Sequence, residues 1–175
     1  MNMNANRHQR QILRFCPLSA YPPGTIYALL HQSYAPLLQA IPKYADTLKQ
    51  NWRETDRFAY AHANTPLGTC FFLTCLGNTP IGMGSIDPRN RPRIGQNCLL
   101  PAYRGHGFGA QQLREMLRGL KQRRAKTILA VTSDHPFFLP AQRMYLSAGF
   151  RETRRFPGDF SPCIQFEYRI KEQVS

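Results

Sequence analysis

Negative charge is the scarcest property of this 175-residue chain, in which ten Asp and Glu stand against 23 Lys and Arg for a formal net charge of +13. With a pI near 10.1, the chain favours acidic partners, meaning nucleic acid, an anionic surface or a polyanionic small molecule. The same scarcity leaves few carboxylates for general-base chemistry. No apolar run reaches membrane-spanning length, and the polar opening Met1 to Arg10 has no apolar core for a signal peptide. That opening reads as a flexible tail before one domain over residues 11–175, with no membrane association and a cytoplasmic location. The five cysteines, Cys16, Cys70, Cys75, Cys98 and Cys163, are odd in number and dispersed, without a C-x-x-C or Cys/His spacing. A disulfide scaffold and a metal site are therefore not indicated, and a reducing compartment suits them. Helix-turn-helix, zinc-finger and RNP-type patterns are also lacking, so a basic nucleic-acid-binding domain is permitted by charge and supported by no motif.

What remains is an ordinary globular composition, 42% hydrophobic and 19% charged, in a length that suits one core. Gln11 to Leu18 reads as a strand that ends at the turn signal Tyr21-Pro22-Pro23-Gly24. Helical spacing follows from Thr25 to Ala40, with a break near Pro36, and again from Pro42 to Ala63. Thr69–Leu76 and Thr79–Asp87 flank Gly77-Asn78 as a hairpin, and Arg93 to Leu100 is the next strand. A helix over about Gly107 to Arg124 places Leu113, Met116, Leu117 and Leu120 on one face and leaves its arginines in solvent. A strand at Thr127–Thr132 precedes a helix at Phe138–Ala148, which Gly149 closes; Phe150–Phe156 and Cys163–Ile170 are the terminal strands.

The run Leu99-Leu100-Pro101-Ala102-Tyr103-Arg104-Gly105-His106-Gly107-Phe108-Gly109-Ala110 passes from a strand through a basic, glycine-rich turn into a helix. Glycines allow successive backbone N–H groups to converge on one point, and the helix adds the positive end of its dipole, so the turn is an anion cradle suited to a diphosphate. Neither G-x-x-x-x-G-K-[ST] nor G-x-G-x-x-G is present. Arg104, Gly107 and Gly109 instead reproduce R-x-x-G-x-G, which resembles the acetyl-CoA loop of the GCN5-related N-acetyltransferases. A second segment, Ala141-Gln142-Arg143-Met144-Tyr145-Leu146-Ser147-Ala148-Gly149-Phe150, is similar to that family's A-x-x-[LM]-Y-x-x-x-G-F helix. The two occur in the family's order, and the resemblance covers about Ile94 to Phe150.

The resemblance implies a single-domain α/β (α+β) fold with a mixed, centrally splayed sheet flanked by helices. It implies acetyl-CoA as co-substrate, with Leu99, Leu100, Arg104, Gly105, His106, Gly107, Phe108, Gly109 and Ala110 at the cofactor, and acetyl transfer to a primary amine by direct attack. Arg104 would support the diphosphate directly or hold the turn that does. An N–H from the Leu99–Leu100 strand end would polarise the thioester, and Tyr145 would return a proton to the thiolate. The base is open among Asp87, Asp134, His135 and a water relay. Gln96 and Asn97 are candidates to orient the acceptor. In the family a short link with an asparagine precedes the tyrosine helix; here Ser133 to Phe138 lengthens it and Phe138 stands in that place, leaving the pantetheine contact there unassigned. Phe137 and Phe138 are candidates for an acceptor wall or for core anchors. A non-catalytic acyl-CoA-binding module is the remaining alternative, and the sequence permits a homodimer without requiring one.

Overall fold

The computed structural model describes residues 13–63 and 68–170; the expected tail at residues 1–10 lies outside them. Seven strands form one mixed sheet in the order β1-β2-β3-β4-β5-β7-β6. These are β1 (Leu13–Pro17), β2 (Cys70–Leu76), β3 (Thr79–Asp87), β4 (Arg93–Leu99), β5 (Thr127–Ser133), β6 (Arg151–Phe156) and β7 (Cys163–Arg169). Helices α1 (Thr25–Ser33), α2 (Ala35–Ala40) and α3 (Ala45–Ala61) precede the hairpin, α4 (Phe108–Gln122) follows β4, and α5 (Leu139–Ser147) follows β5. The break expected near Pro36 falls at Tyr34, and Pro36 lies in the first turn of α2, where its missing N–H costs nothing.

The sheet carries a core on each side. Leu113, Met116, Leu117 and Leu120 of α4 are all buried, packing with Ile86, Ile94, Ile128, Ile164 and Phe166 of the sheet. Ile26, Leu29 and Leu30 of α1 and Trp52 of α3 pack with Leu73, Met83 and Cys98. The 3.6-residue repeat of α4 thus turns one stripe inward and its basic heads outward.

The sheet is divided at its one parallel junction. β4 meets β5 only at Arg93 opposite Leu129, whereas β5 pairs with β7 from Thr127–Arg169 to Ser133–Cys163. A register shift contributes: between the Gly84–Asn97 and Ile86–Ile94 pairs, Gly95 and Gln96 of β4 face the single residue Ser85, and Gln96 N–H donates to Ser85 Oγ at 2.7 Å. Such a bulge bends and twists its strand. Gly95 leaves room there for Ser85 Oγ, which a Cβ would displace from its bond with Gln96 N–H. Beyond the bulge the β5-facing edge of β4 has no strand against it, and a cleft opens between them. No helix among the described residues is long and apolar enough to cross a membrane.

Candidate active site

Two features meet at the splay. The first is the turn into α4, where Pro101–Tyr103 form a short 3-10 turn and Gly105 and Gly107 both adopt φ of +79°. A side chain at either would be strained by that backbone alone. The first helical bond runs from Gln111 N–H to the Gly107 carbonyl, and no side chain caps the helix, so the N–H groups of Phe108, Gly109 and Ala110 have no intrahelical acceptor. Consecutive free amides at the positive end of a 15-residue helix are what a diphosphate requires, and the cradle therefore fits the pyrophosphate of acetyl-CoA.

Arg104 is turned toward backbone carbonyls of the fold. Its Nε donates to the Leu99 carbonyl at 3.1 Å, its Nη2 donates to the Ser33 carbonyl at 2.6 Å, and its guanidinium lies 5.5 Å from the Phe137 ring centroid. The charge is directed back at the end of β4 and the last turn of α1, so Arg104 braces the turn. His106 folds back onto the Arg104 carbonyl through Nδ1 at 2.8 Å. Three basic heads on and just after α4 are engaged locally: Arg118 pairs with Glu115, Lys121 Nζ is 3.3 Å from Tyr168 Oη, and Arg123 Nη1 donates to the Gly119 carbonyl at 3.0 Å.

The second feature is a cavity of about 260 Å³. Gly95, Gln96 and Asn97 of β4 face Val131, Thr132 and Ser133 of β5 across it, and Tyr145 lies on its α5 side. Tyr145 is 3% exposed and packs on Phe150 and Phe166 at ring-centroid distances of 5.3 and 5.7 Å. A helix-end motif fixes it: Gly149 at φ +93° lets Gly149 N–H donate to the Leu146 carbonyl and Phe150 N–H to the Tyr145 carbonyl. Burial pushes the phenol above its ordinary pKa, and the neighbouring Asn97 amide opposes that in part. The phenol is thus held in its protonated form through the neutral range.

Behind Asn97 lies a buried polar chain that the sequence reading missed. Gln112, wholly buried on the apolar face of α4, accepts a hydrogen bond from the Thr74 hydroxyl. Its Nε2 donates to the Met83 carbonyl at 2.9 Å and to Asn97 Oδ1 at 2.6 Å. This fixes which way the Asn97 amide points, and its Nδ2 is buried without a partner of ordinary geometry. A glutamine within the Leu113–Leu120 stripe was the available signal, since an unpaired amide there would be costly. Strand alternation settles the main-chain donors. Leu100 N–H is spent on the Ile81 carbonyl at 2.8 Å, so of the two expected residues only Leu99 turns its N–H to the open edge, together with Asn97 two residues earlier.

None of the three base candidates lines the cavity. Asp87 is held by Arg89, at 2.8 Å through each carboxylate oxygen, and by Arg93 at 3.4 Å. Hydrogen bonding to Arg89 holds its pKa down at about 2, which makes it a poor base at neutral pH. Asp134 pairs with Arg155 at 2.9 Å, and His135 Nδ1 accepts the Phe137 N–H at 3.2 Å, fixing the loop. Of the two loop phenylalanines, Phe137 packs against Arg104 and Tyr34, while Phe138 lines the cavity. Burial pushes the Cys75 and Cys98 thiols up to about 11, so neither is a ready thiolate. Among the described residues no group of His, Cys, Asp and Glu could hold a metal ion.

A strand-turn-helix anion cradle thus stands beside a parallel splay, with a buried tyrosine across the opening. The chain belongs to the Acetyltransferase (GNAT) family, whose profile matches residues 26–150. Solved structures of the same fold include the PaiA N-acetyltransferase of Thermoplasma acidophilum in complex with coenzyme A, at TM-score 0.76 and 15% identity over 91% of this chain and 99% of that one. A GNAT-family acetyltransferase described as putative, from Desulfovibrio desulfuricans, superposes at TM-score 0.70 and 16% identity over 90% and 99% of the two chains. YncA of Salmonella typhimurium with its cofactor acetyl-CoA gives TM-score 0.66 and 15% identity over 94% and 96%. No curated protein matches the sequence.

Proposed function

We propose that this acetyltransferase moves the acetyl group of acetyl-CoA to a primary amine by direct attack, with both substrates bound together. The observation that carries the reading is the convergence of two neighbouring buried groups, the Tyr145 phenol and the Asn97 side-chain amide, on the cavity beside the open edge of β4. Acetyl-CoA supplies an activated acyl carbon and a thiolate leaving group. The free amides of Phe108, Gly109 and Ala110 hold its diphosphate, and Leu99 N–H and Asn97 N–H offer main-chain donors along β4. Asn97 Nδ2 donates to the carbonyl oxygen as negative charge develops there.

The attacking nitrogen forms a bond to the acyl carbon, and the C–S bond breaks with its electron pair on sulfur. One amine proton leaves to water, and the Tyr145 proton goes to sulfur; Tyr145 recovers a proton from solvent, giving an amide and free CoA. A phenol suits this part because burial keeps it protonated until a thiolate forms beside it. With no carboxylate or histidine lining the cavity among the described residues, proton removal falls to water.

Tyr145→Phe tests the assignment, since it deletes one hydroxyl and almost no volume. Turnover should fall roughly ten- to a thousandfold with acetyl-CoA affinity nearly unchanged. The loss should shrink for a donor whose thiolate is a better leaving group. Full turnover by the variant, where chemistry limits the rate, would reassign the proton to water.

A further inference from the structure

The cavity wall facing β4 and β5 is built from rings and aliphatic carbon, and Gln96, Asn97, Thr132 and Ser133 of the strands supply its uncharged polar part. Trp52 stacks on Tyr34 with centroids 5.5 Å apart and planes 24° apart, and Phe138 lies nearly parallel to Phe160 at 6.4 Å. Leu37 and Leu48 complete this apolar lining. Among the described residues no Asp, Glu, His, Lys or Arg lines it. The acidic side chain Asp159 instead lines a neighbouring pocket that shares Leu48 and Phe160.

Resting on the acetyl transfer proposed above, we infer that the acceptor is an aromatic amine of low basicity: a flat apolar body carrying a nitrogen that is uncharged near neutral pH. A buried ammonium without a carboxylate is heavily penalised, and a protein of net charge +13 adds to that penalty. The lining also offers no base, so the nitrogen must arrive with its lone pair free. At pH 7 an alkylammonium of pKa about 10.4 is neutral in roughly one molecule in 2,500. A ring-conjugated nitrogen is neutral almost throughout. The rings do not form an open box for a cation, because Tyr34 is packed on Trp52 and has Phe137 and Phe138 at 5.6 and 5.9 Å. What they offer is slab and edge contact, which matches another flat ring.

The chain has a single tryptophan, Trp52, so its intrinsic fluorescence reports this wall directly. The whole protein, saturated with CoA, is titrated with 4-methylaniline, 2-phenylethylamine and spermidine, and acetyl-CoA-dependent thiol release is followed with each. 4-Methylaniline should change the Trp52 emission and exceed spermidine at least about tenfold in kcat/KM at pH 7. The kcat/KM for 2-phenylethylamine should climb about tenfold per pH unit from 7 to 9 as its neutral form accumulates, while that for 4-methylaniline stays flat. Phe160→Ala should raise KM for 4-methylaniline without altering acetyl-CoA binding, and Asp159→Asn should change neither. Preference for spermidine, or a silent Trp52 with 4-methylaniline while acetyl-CoA still stabilises the protein, overturns the acceptor class and leaves acetyl transfer standing. Failure of acetyl-CoA to stabilise the protein overturns the parent reading itself.

Discussion

The cradle and the acceptor cavity share the end of β4 and are made in opposite ways. The cradle is twelve consecutive residues, Leu99 to Ala110, whose working atoms are backbone amides. The cavity takes side chains from α2, α3, β4, β5, α5 and the loops around them, Tyr34 among these. A main-chain site constrains sequence mainly where φ must be positive, which is why it is written as glycine spacing. A side-chain site assembled across the fold leaves no local pattern, and its chemistry is set by which surfaces the topology brings together.

The largest effect should come from breaking the cradle alone. Gly107→Val places a β-branched residue at φ +79° beside the free amides. At a hundredfold excess over the wild-type dissociation constant, acetyl-CoA should stabilise wild type by about 2.7 kcal/mol and the variant by almost nothing in a thermal melt. The Trp52 response to an aromatic amine should survive, because no residue of the Leu99–Ala110 run lines the cavity. Loss of both would join what the geometry separates.

Next in size is the buried chain behind Asn97. Gln112→Leu leaves the Met83 carbonyl, Asn97 Oδ1 and the Thr74 hydroxyl without their partner, so stability should drop by about 1–3 kcal/mol. Turnover should fall further than stability explains, at unchanged acetyl-CoA affinity, because the amide loses its orientation. Asn97→Ala should match that turnover loss with a smaller change in melting temperature.

Arg104→Ala sharpens the cradle side. Removing the brace between Leu99 and Ser33 should weaken acetyl-CoA by roughly tenfold, about 1.4 kcal/mol. Arg118→Ala, which loses only an exposed pair with Glu115, should change acetyl-CoA affinity little. Equal losses in a calorimetric titration would make the cradle a diffuse electrostatic surface.

The smallest effect lies away from both sites. Asp87 has its pKa lowered in the fold from 3.8 to about 2, so its stabilising pairing is fully present above pH 4 and is lost as pH falls toward 2. Asp87→Asn should cost about 1 kcal/mol at pH 7, roughly 2–4 °C in the melt. Its gap to wild type should close between pH 4 and 2, with turnover at neutral pH unaffected; a large turnover loss at constant stability would return Asp87 to the list of bases.

By itself the sequence determined the order and type of elements, the inward face of α4 at Leu113, Met116, Leu117 and Leu120, the glycine-rich turn, and the helix that carries Tyr145. These depend on periodicity, glycine spacing and caps, which act over a few residues. The tertiary structure decided where Arg104 points, because its acceptors are Leu99 and Ser33 carbonyls that only the packed α1 brings together. It also decided that Asp87, Asp134 and His135 serve neighbours and not the cavity, that Gln112 reaches Asn97, and that four rings from distant segments form one uncharged wall. Side-chain chemistry is set by what stands within hydrogen-bond or van der Waals reach, and across a sheet that distance is fixed by register and twist, which no stretch of sequence carries alone.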